Sequence, residues 1–74
     1  MKEGRLGYNY KNDRYGILNF DLWEDDGLHC GETFEVYLNG EWVQDRIEMS
    51  GTQWYLVYSN LKGADLEGIK VKIK

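Results

Sequence analysis

The sequence predicts an all-β fold built from short antiparallel strands, and three observations predict it. The first is Asn39-Gly40 between two β-rich runs: a two-residue type I′ turn needs positive φ at both central positions, which Asn tolerates and Gly adopts freely. The second is that registers drawn from this turn and from the next loop agree on a single apolar face. The third is punctuation. Nine glycines recur at short, fairly even intervals and there is no proline, which suits many short strands better than long helices.

The stretch Thr33 to Tyr58 reads as a three-stranded meander. Pairing outward from Asn39-Gly40 sets Leu38 opposite Glu41, Tyr37 opposite Trp42, Val36 opposite Val43 and Glu35 opposite Gln44. A four-residue loop at Ser50–Gln53 then sets Met49 opposite Trp54, Glu48 opposite Tyr55, Ile47 opposite Leu56 and Arg46 opposite Val57. Side chains alternate along a strand, so one face collects Phe34, Val36, Leu38, Val43, Ile47, Met49, Trp54 and Leu56. The other collects Glu35, Tyr37, Trp42, Gln44, Arg46, Glu48 and Tyr55. A slip of one residue would scramble both sets.

Upstream, residues 4–10 alternate Leu6, Tyr8 and Tyr10 against Arg5, Gly7 and Asn9. A turn at Lys11–Arg14 leads into a second strand, Tyr15 to Phe20, with Tyr10 expected opposite Tyr15 and Tyr8 opposite Ile17. Leu18 and Phe20 fall on the far side, so this strand is either buried on both faces or bulged. Asp21 to Glu32 reads as a long acidic loop with an Asp25-Asp26-Gly27 turn, pinned by Leu22, Trp23 and Leu28. After the meander, Asn60 to Gly68 allows one helical turn, with Leu61 and Leu66 plugging a barrel end. The closing Ile69–Lys74 alternates Ile69, Val71 and Ile73 inward with Lys70, Lys72 and Lys74 outward, a pattern expected of a protected edge strand.

Five to six such strands, one loop and one helical turn fit a small SH3-like barrel, 1–74 forming one domain; an OB-like barrel, which usually carries a longer helix, ranks second. At 74 residues with one cysteine, no intrachain disulfide can form, and stability has to come from eleven aromatic residues and the aliphatics. No signal peptide is expected from MKEGRLGYNY, and no apolar run approaches a membrane span. A soluble, cytoplasmic setting follows as the expectation. Charge is uneven: Asp21 to Glu48 holds nine acids and one base, while the flanks hold four acids and eight bases.

The segments GRLGYN, RYGIL, DLW, GLHCGE, WV…RIEM and WYLV…L.G..LEG resemble, over nearly the whole chain, a small domain family of unknown function found in Firmicutes. Its members are frequent among genes of plasmids and integrative elements. The resemblance implies a stand-alone cytoplasmic bacterial domain linked to mobile DNA. It brings no activity, ligand or functional residue.

Candidate sites follow from the residues alone. His29-Cys30 is a poor nucleophilic pair, because adjacent side chains in extended backbone diverge; it reads as a buried small thiol beside a turn histidine. Asp21, Glu24, Asp25, Asp26 and Glu32 lack calcium-loop spacing and read as a solvated acidic loop, so no catalytic residue, metal or cofactor is expected. Tyr37, Trp42, Arg46, Glu48 and Tyr55 form the leading candidate, a non-enzymatic protein-interaction or self-association surface, open to solvent or covered by the 21–32 loop. The alternative is a nucleic-acid face made by Lys2, Arg5, Lys70, Lys72 and Lys74.

Overall fold

Seven strands form one antiparallel sheet in the computed structural model, which describes residues 1–74. They are β1 (Lys2–Asn9), β2 (Arg14–Asn19), β3 (Leu22–Asp25), β4 (Thr33–Leu38), β5 (Glu41–Ser50), β6 (Gln53–Leu56) and β7 (Lys70–Ile73), with a 3₁₀ turn at Gly63–Leu66 ahead of β7. Their order across the sheet is β3-β2-β1-β7-β4-β5-β6. The ten-residue β5 pairs with β4 through Glu41–Arg46 and with β6 through Ile47–Ser50, so one long strand serves two neighbours.

The meander has the expected registers in both hairpins, from Leu38↔Glu41 to Glu35↔Gln44 and from Met49↔Trp54 to Ile47↔Leu56. Asn39 and Gly40 sit at φ 52° and 82°, the positive values that a type I′ turn demands. The inner face buries Phe34, Val36, Ile47, Trp54 and Leu56 together with Leu6, Tyr15, Ile17 and Val71; Leu28 and Leu66 close the core. Met49, expected inside, is 37% exposed beside the tight turn that joins β5 to β6.

Four expectations are corrected. The terminal strand β7 is not an edge: it pairs with β1 on one side and β4 on the other. Its two outward lysines, Lys70 and Lys72, therefore need a reason other than edge protection. The first hairpin closes at Asn9↔Arg14 with Tyr8 opposite Tyr15 and Leu6 opposite Ile17, two residues away from the expected register. Asn9 explains the shift, because its Oδ1 accepts from Lys11 N at 3.0 Å while its carbonyl accepts from Asn12 N at 3.2 Å, folding Tyr10–Asp13 into the turn. A shift of two keeps every side chain on its face, so the alternation carried no warning.

The acidic loop, third, contains β3, an edge strand paired with β2 across a bulge between Ile17 and Leu18. That bulge settles the ambiguity in β2: Leu18 is half-buried on the outer face and Phe20, at φ 59°, is 95% exposed. Leu22 is 74% exposed and pins nothing, whereas Leu28 is fully buried. Fourth, Cys30 is exposed, as is His29; the chain turns at Gly31, φ 88°, and leaves the thiol outside.

Tyr15 ties β2 to the 3₁₀ turn by donating its hydroxyl to the Gly63 carbonyl at 2.9 Å. Burial, then the Glu67 charge, raises this phenol above its ordinary value of 10.0; burial and Asp13 raise Tyr8 likewise. Near pH 10 the unfolded chain releases these protons while the folded chain keeps them, so folding stability is fully present below pH 10 and falls as pH rises through the folded values. Thermal melts from neutral pH to about pH 11 should be flat and then decline, with a shallower decline in Tyr15→Phe. An unchanged midpoint across that range would refute the assignment.

Candidate functional site

The outer face of β7, β4 and β5 is where the chemistry-bearing side chains gather. On the outer face Tyr37 and Trp42 stand directly opposite each other, their ring centroids 5.2 Å apart in an edge-to-face arrangement. Because β7 lies beside β4 with Glu35↔Lys72 in register, its outward lysines reach this aromatic pair. Lys70 Nζ lies 5.6 Å from the Tyr37 ring centre and Lys72 Nζ 4.2 Å from that of Trp42. Each such contact contributes about 0.5–1 kcal/mol at an exposed site. Here is the reason for lysines on a central strand: they lie on aromatic faces rather than guarding an edge.

Parts of the two groups that the sequence offered as rival sites thus share one surface: Tyr37 and Trp42 from the first, and Arg5, Lys70 and Lys72 from the second. Arg5 stands opposite Lys70, so Arg5, Lys70, Tyr37 and Trp42 form one row across β1, β7, β4 and β5. In the next row Glu3 and Glu35 both flank Lys72, interleaving acids with bases. A shallow groove of about 640 Å³ adjoins Arg5 and Lys70 and is also lined by Glu3, Glu67, Leu18 and Phe20. The surface is therefore aromatic with mixed charge.

Other predicted residues fall elsewhere. Arg46, Glu48 and Tyr55 lie toward the far end of β5; Glu48 is six residues from Trp42, about 20 Å along a strand. There Arg46 Nε and Glu48 Oε2 pair with each other at 3.0 Å. Lys2 is bound to Asp25 at 3.1 Å, and Arg5 Nη1 donates to the Gly68 carbonyl at 2.9 Å. Lys74 is exposed at the chain end. The 21–32 segment leaves Tyr37 42% exposed; its Trp23 lies instead over β1 and β2, where a Cβ on Gly16 would come within 2.8 Å of the indole and one on Gly7 within 3.7 Å. No three His, Cys, Asp or Glu side chains converge as a metal-holding group, and no helix is long and apolar enough to cross a membrane.

Asp45 escaped the sequence reading. It lies on the inner face of β5 between Val43 and Ile47, 3% exposed. Its Oδ1 accepts from Arg46 N at 2.8 Å and Tyr58 N at 2.7 Å, and its Oδ2 from Ser59 N at 3.0 Å. The signal was its parity with Val43 and Ile47: alternation alone points it inward.

The family model described as Domain of unknown function (DUF5348) matches residues 4–73. Among solved structures, the chain is similar to a structural-genomics crystal structure of a protein from Ruminococcus gnavus, a Firmicute. The two are 40% identical, with 96% of this chain and 99% of that chain covered and a TM-score of 0.76. No curated protein matches the chain.

Proposed function

The chain belongs to the DUF5348 family, whose function is unknown, and from its surface we propose a non-enzymatic protein-interaction module of SH3-like type. In this proposal it is a cytoplasmic accessory subunit of a bacterial system linked to mobile DNA. The observation that carries the interaction reading is the Tyr37–Trp42 pair on the outer face of the β4–β5 hairpin, with Lys70 and Lys72 over its rings. Aromatic anchors ringed by charges of both signs are the usual make-up of a protein contact. The 3₁₀ turn before a last strand that pairs with the first supports the SH3-like part. Glu3 and Glu35 beside Lys72, and a chain charge of −4, favour a protein over a polyanion.

A second reading rests on one specific observation: the row Arg5–Lys70–Tyr37–Trp42 contains no acid. Cations beside stacking rings on a sheet are what single-stranded nucleic acid uses. The two readings separate cleanly. Tagged protein recovered from its host lysate, with and without nuclease and at low and high salt, should retain a protein partner. Trp42→Ala should lose it about 30-fold or more, as hot-spot truncations do. A partner lost with nuclease or salt, together with binding of oligothymidine at about 50 mM salt that fades steeply as salt rises, would replace the first reading by the second. Partner recovery unchanged in Trp42→Ala would sink the proposed face.

A further inference from the structure

We infer that two copies of this chain pair through the tip of the β2–β3 hairpin, each Phe20 entering the groove beside Arg5 and Lys70 of the other copy. The tip is a two-residue turn closed by Asn19↔Leu22, with φ positive at Phe20, 59°, and not at Asp21. That pattern ordinarily calls for glycine at the first central position. The other non-glycine residues with positive φ are Asp13, Asn39 and Asn60, types whose short polar side chains tolerate it. For a bulky ring it is an outlier. Phe20 is also 95% exposed, and Leu22 at the close of the turn is 74% exposed. The ring therefore strains the backbone and contributes no burial within its own chain. Strain of this kind persists where a site uses it, and apolar side chains exposed together mark a contact surface.

The surface beside the tip decides what the ring enters. The groove of about 640 Å³ that Phe20 borders has Leu18 as an apolar wall and Arg5 and Lys70 as its bases. Its two acids are answered locally: Glu67 Oε1 accepts from Tyr8 N at 3.0 Å, and Glu3 stands in register with Lys72. Arg5 Nη1 donates to the Gly68 carbonyl and Lys70 Nζ lies toward the Tyr37 ring, so neither base holds a carboxylate. The chain's two ion pairs are Lys2–Asp25 and Arg46–Glu48. Asp21, next to Phe20 on the tip, is exposed and in neither of them. The tip thus presents a ring and an acid, and the groove presents an apolar wall and two bases. These complementary patches lie side by side on one molecule. A two-fold pair needs that arrangement, because each copy must insert and receive at the same time. β3 ends the sheet, so no further strand flanks the hairpin. A contact confined to the tip and groove is smaller than a standard interface, which makes the pairing weak and dependent on concentration.

Sedimentation equilibrium of the intact chain should show a reversible monomer–dimer equilibrium with Kd between about 10 µM and about 1 mM. Phe20→Asn should weaken it about tenfold or more. Because asparagine suits the turn, the same variant should raise the melting midpoint of the dilute monomer by about 2 °C or more. Weaker pairing with a firmer fold is the mark of a contact residue; a structural one would lose both. Exchanged charges identify the second copy as the occupant. Asp21→Lys and Lys70→Glu should each be monomeric alone, since each sets like charges together. Their equimolar mixture should regain the dimer, because a mixed pair has one matched Asp–Lys contact and one matched Lys–Glu contact. A chain that stays monomeric at about 1 mM, a Phe20→Asn variant that pairs like the parent, or a mixture that fails to associate would each overturn the pairing. Association lost in Trp42→Ala but kept in Phe20→Asn would overturn it too, and would assign self-pairing to the Tyr37–Trp42 face. Recovery of a different protein through Trp42 is a separate readout, so neither proposal falls with the other.

Discussion

Asp45→Ala is expected to cost about 3 kcal/mol or more, out of the roughly 4–11 kcal/mol that a domain of this size has. The reasoning starts from what the carboxylate does on the inner face. It is buried beside Ile47, and it takes the backbone N–H groups of Arg46, Tyr58 and Ser59 at 2.7–3.0 Å. Hydrogen bonds to an ionised group contribute about 1.5–3 kcal/mol, and donors left without a partner cost more than the bonds are worth on average. Alanine orphans three of them at once. The segment after β6, where Asn60 is held at φ 64°, loses its anchor to β5. At about 4–8 °C per kcal/mol for a domain this small, the melting midpoint should fall by about 12–24 °C. Asp45→Asn keeps the shape but turns one acceptor into a donor facing an N–H, so it should recover only part of the loss. Hydrogen exchange provides the local check, since the Tyr58 and Ser59 amides should lose protection first in both variants. A midpoint within about 2 °C of the parent would show that the carboxylate adds nothing net to the fold.

What the sequence revealed, and what it hid, follows from the range of each interaction. The meander was legible residue by residue because its turns are local and its alternation is strict, and the two registers check one another. β7 was legible as a strand but not in its place. Its partners on β1 lie more than sixty residues away, and a lone strand alternating isoleucine and lysine looks the same at an edge or in the middle. From that one misplacement came the separation of Lys70 and Lys72 from Tyr37 and Trp42, which the sheet order reverses. β3 was hidden because four residues with a bulge give no period. The glycine seat of Trp23 was hidden because nothing in a sequence says which ring will lie across Gly7 and Gly16. Asp45 was visible in principle, since its position between Val43 and Ile47 could only point inward.

Gly4→Ala and Gly16→Ala should each destabilise the fold by about 3 kcal/mol or more, for a reason that propensity scales miss. Glycine in a strand is ordinarily a weakness, and replacing it with alanine in an extended segment ordinarily helps. Neither glycine has positive φ, so backbone strain is not the issue. Space is. A Cβ on Gly4 would overlap the Leu18 carbonyl and approach Ile17 Cγ2 at 3.0 Å; one on Gly16 would overlap the Asp25 carbonyl and press on Trp23. The obstacles are backbone atoms of the paired strand, which cannot rotate aside as a flexible side chain can. Relief requires moving β1 from β2, or β2 from β3, and β1 is also held on its other side by β7. The two variants should fail differently. Gly4→Ala pushes apart the middle of the sheet, so its effect should appear as a global loss, with the midpoint lower by about 12 °C or more and β1, β7 and β4 amides exchanging together. Gly16→Ala acts on an edge, so β3 should detach first, exposing Trp23 while β4, β5 and β6 keep their protection. If Gly16→Ala instead melts in one step with the whole sheet, β3 is part of the cooperative core and not a strand laid on its edge.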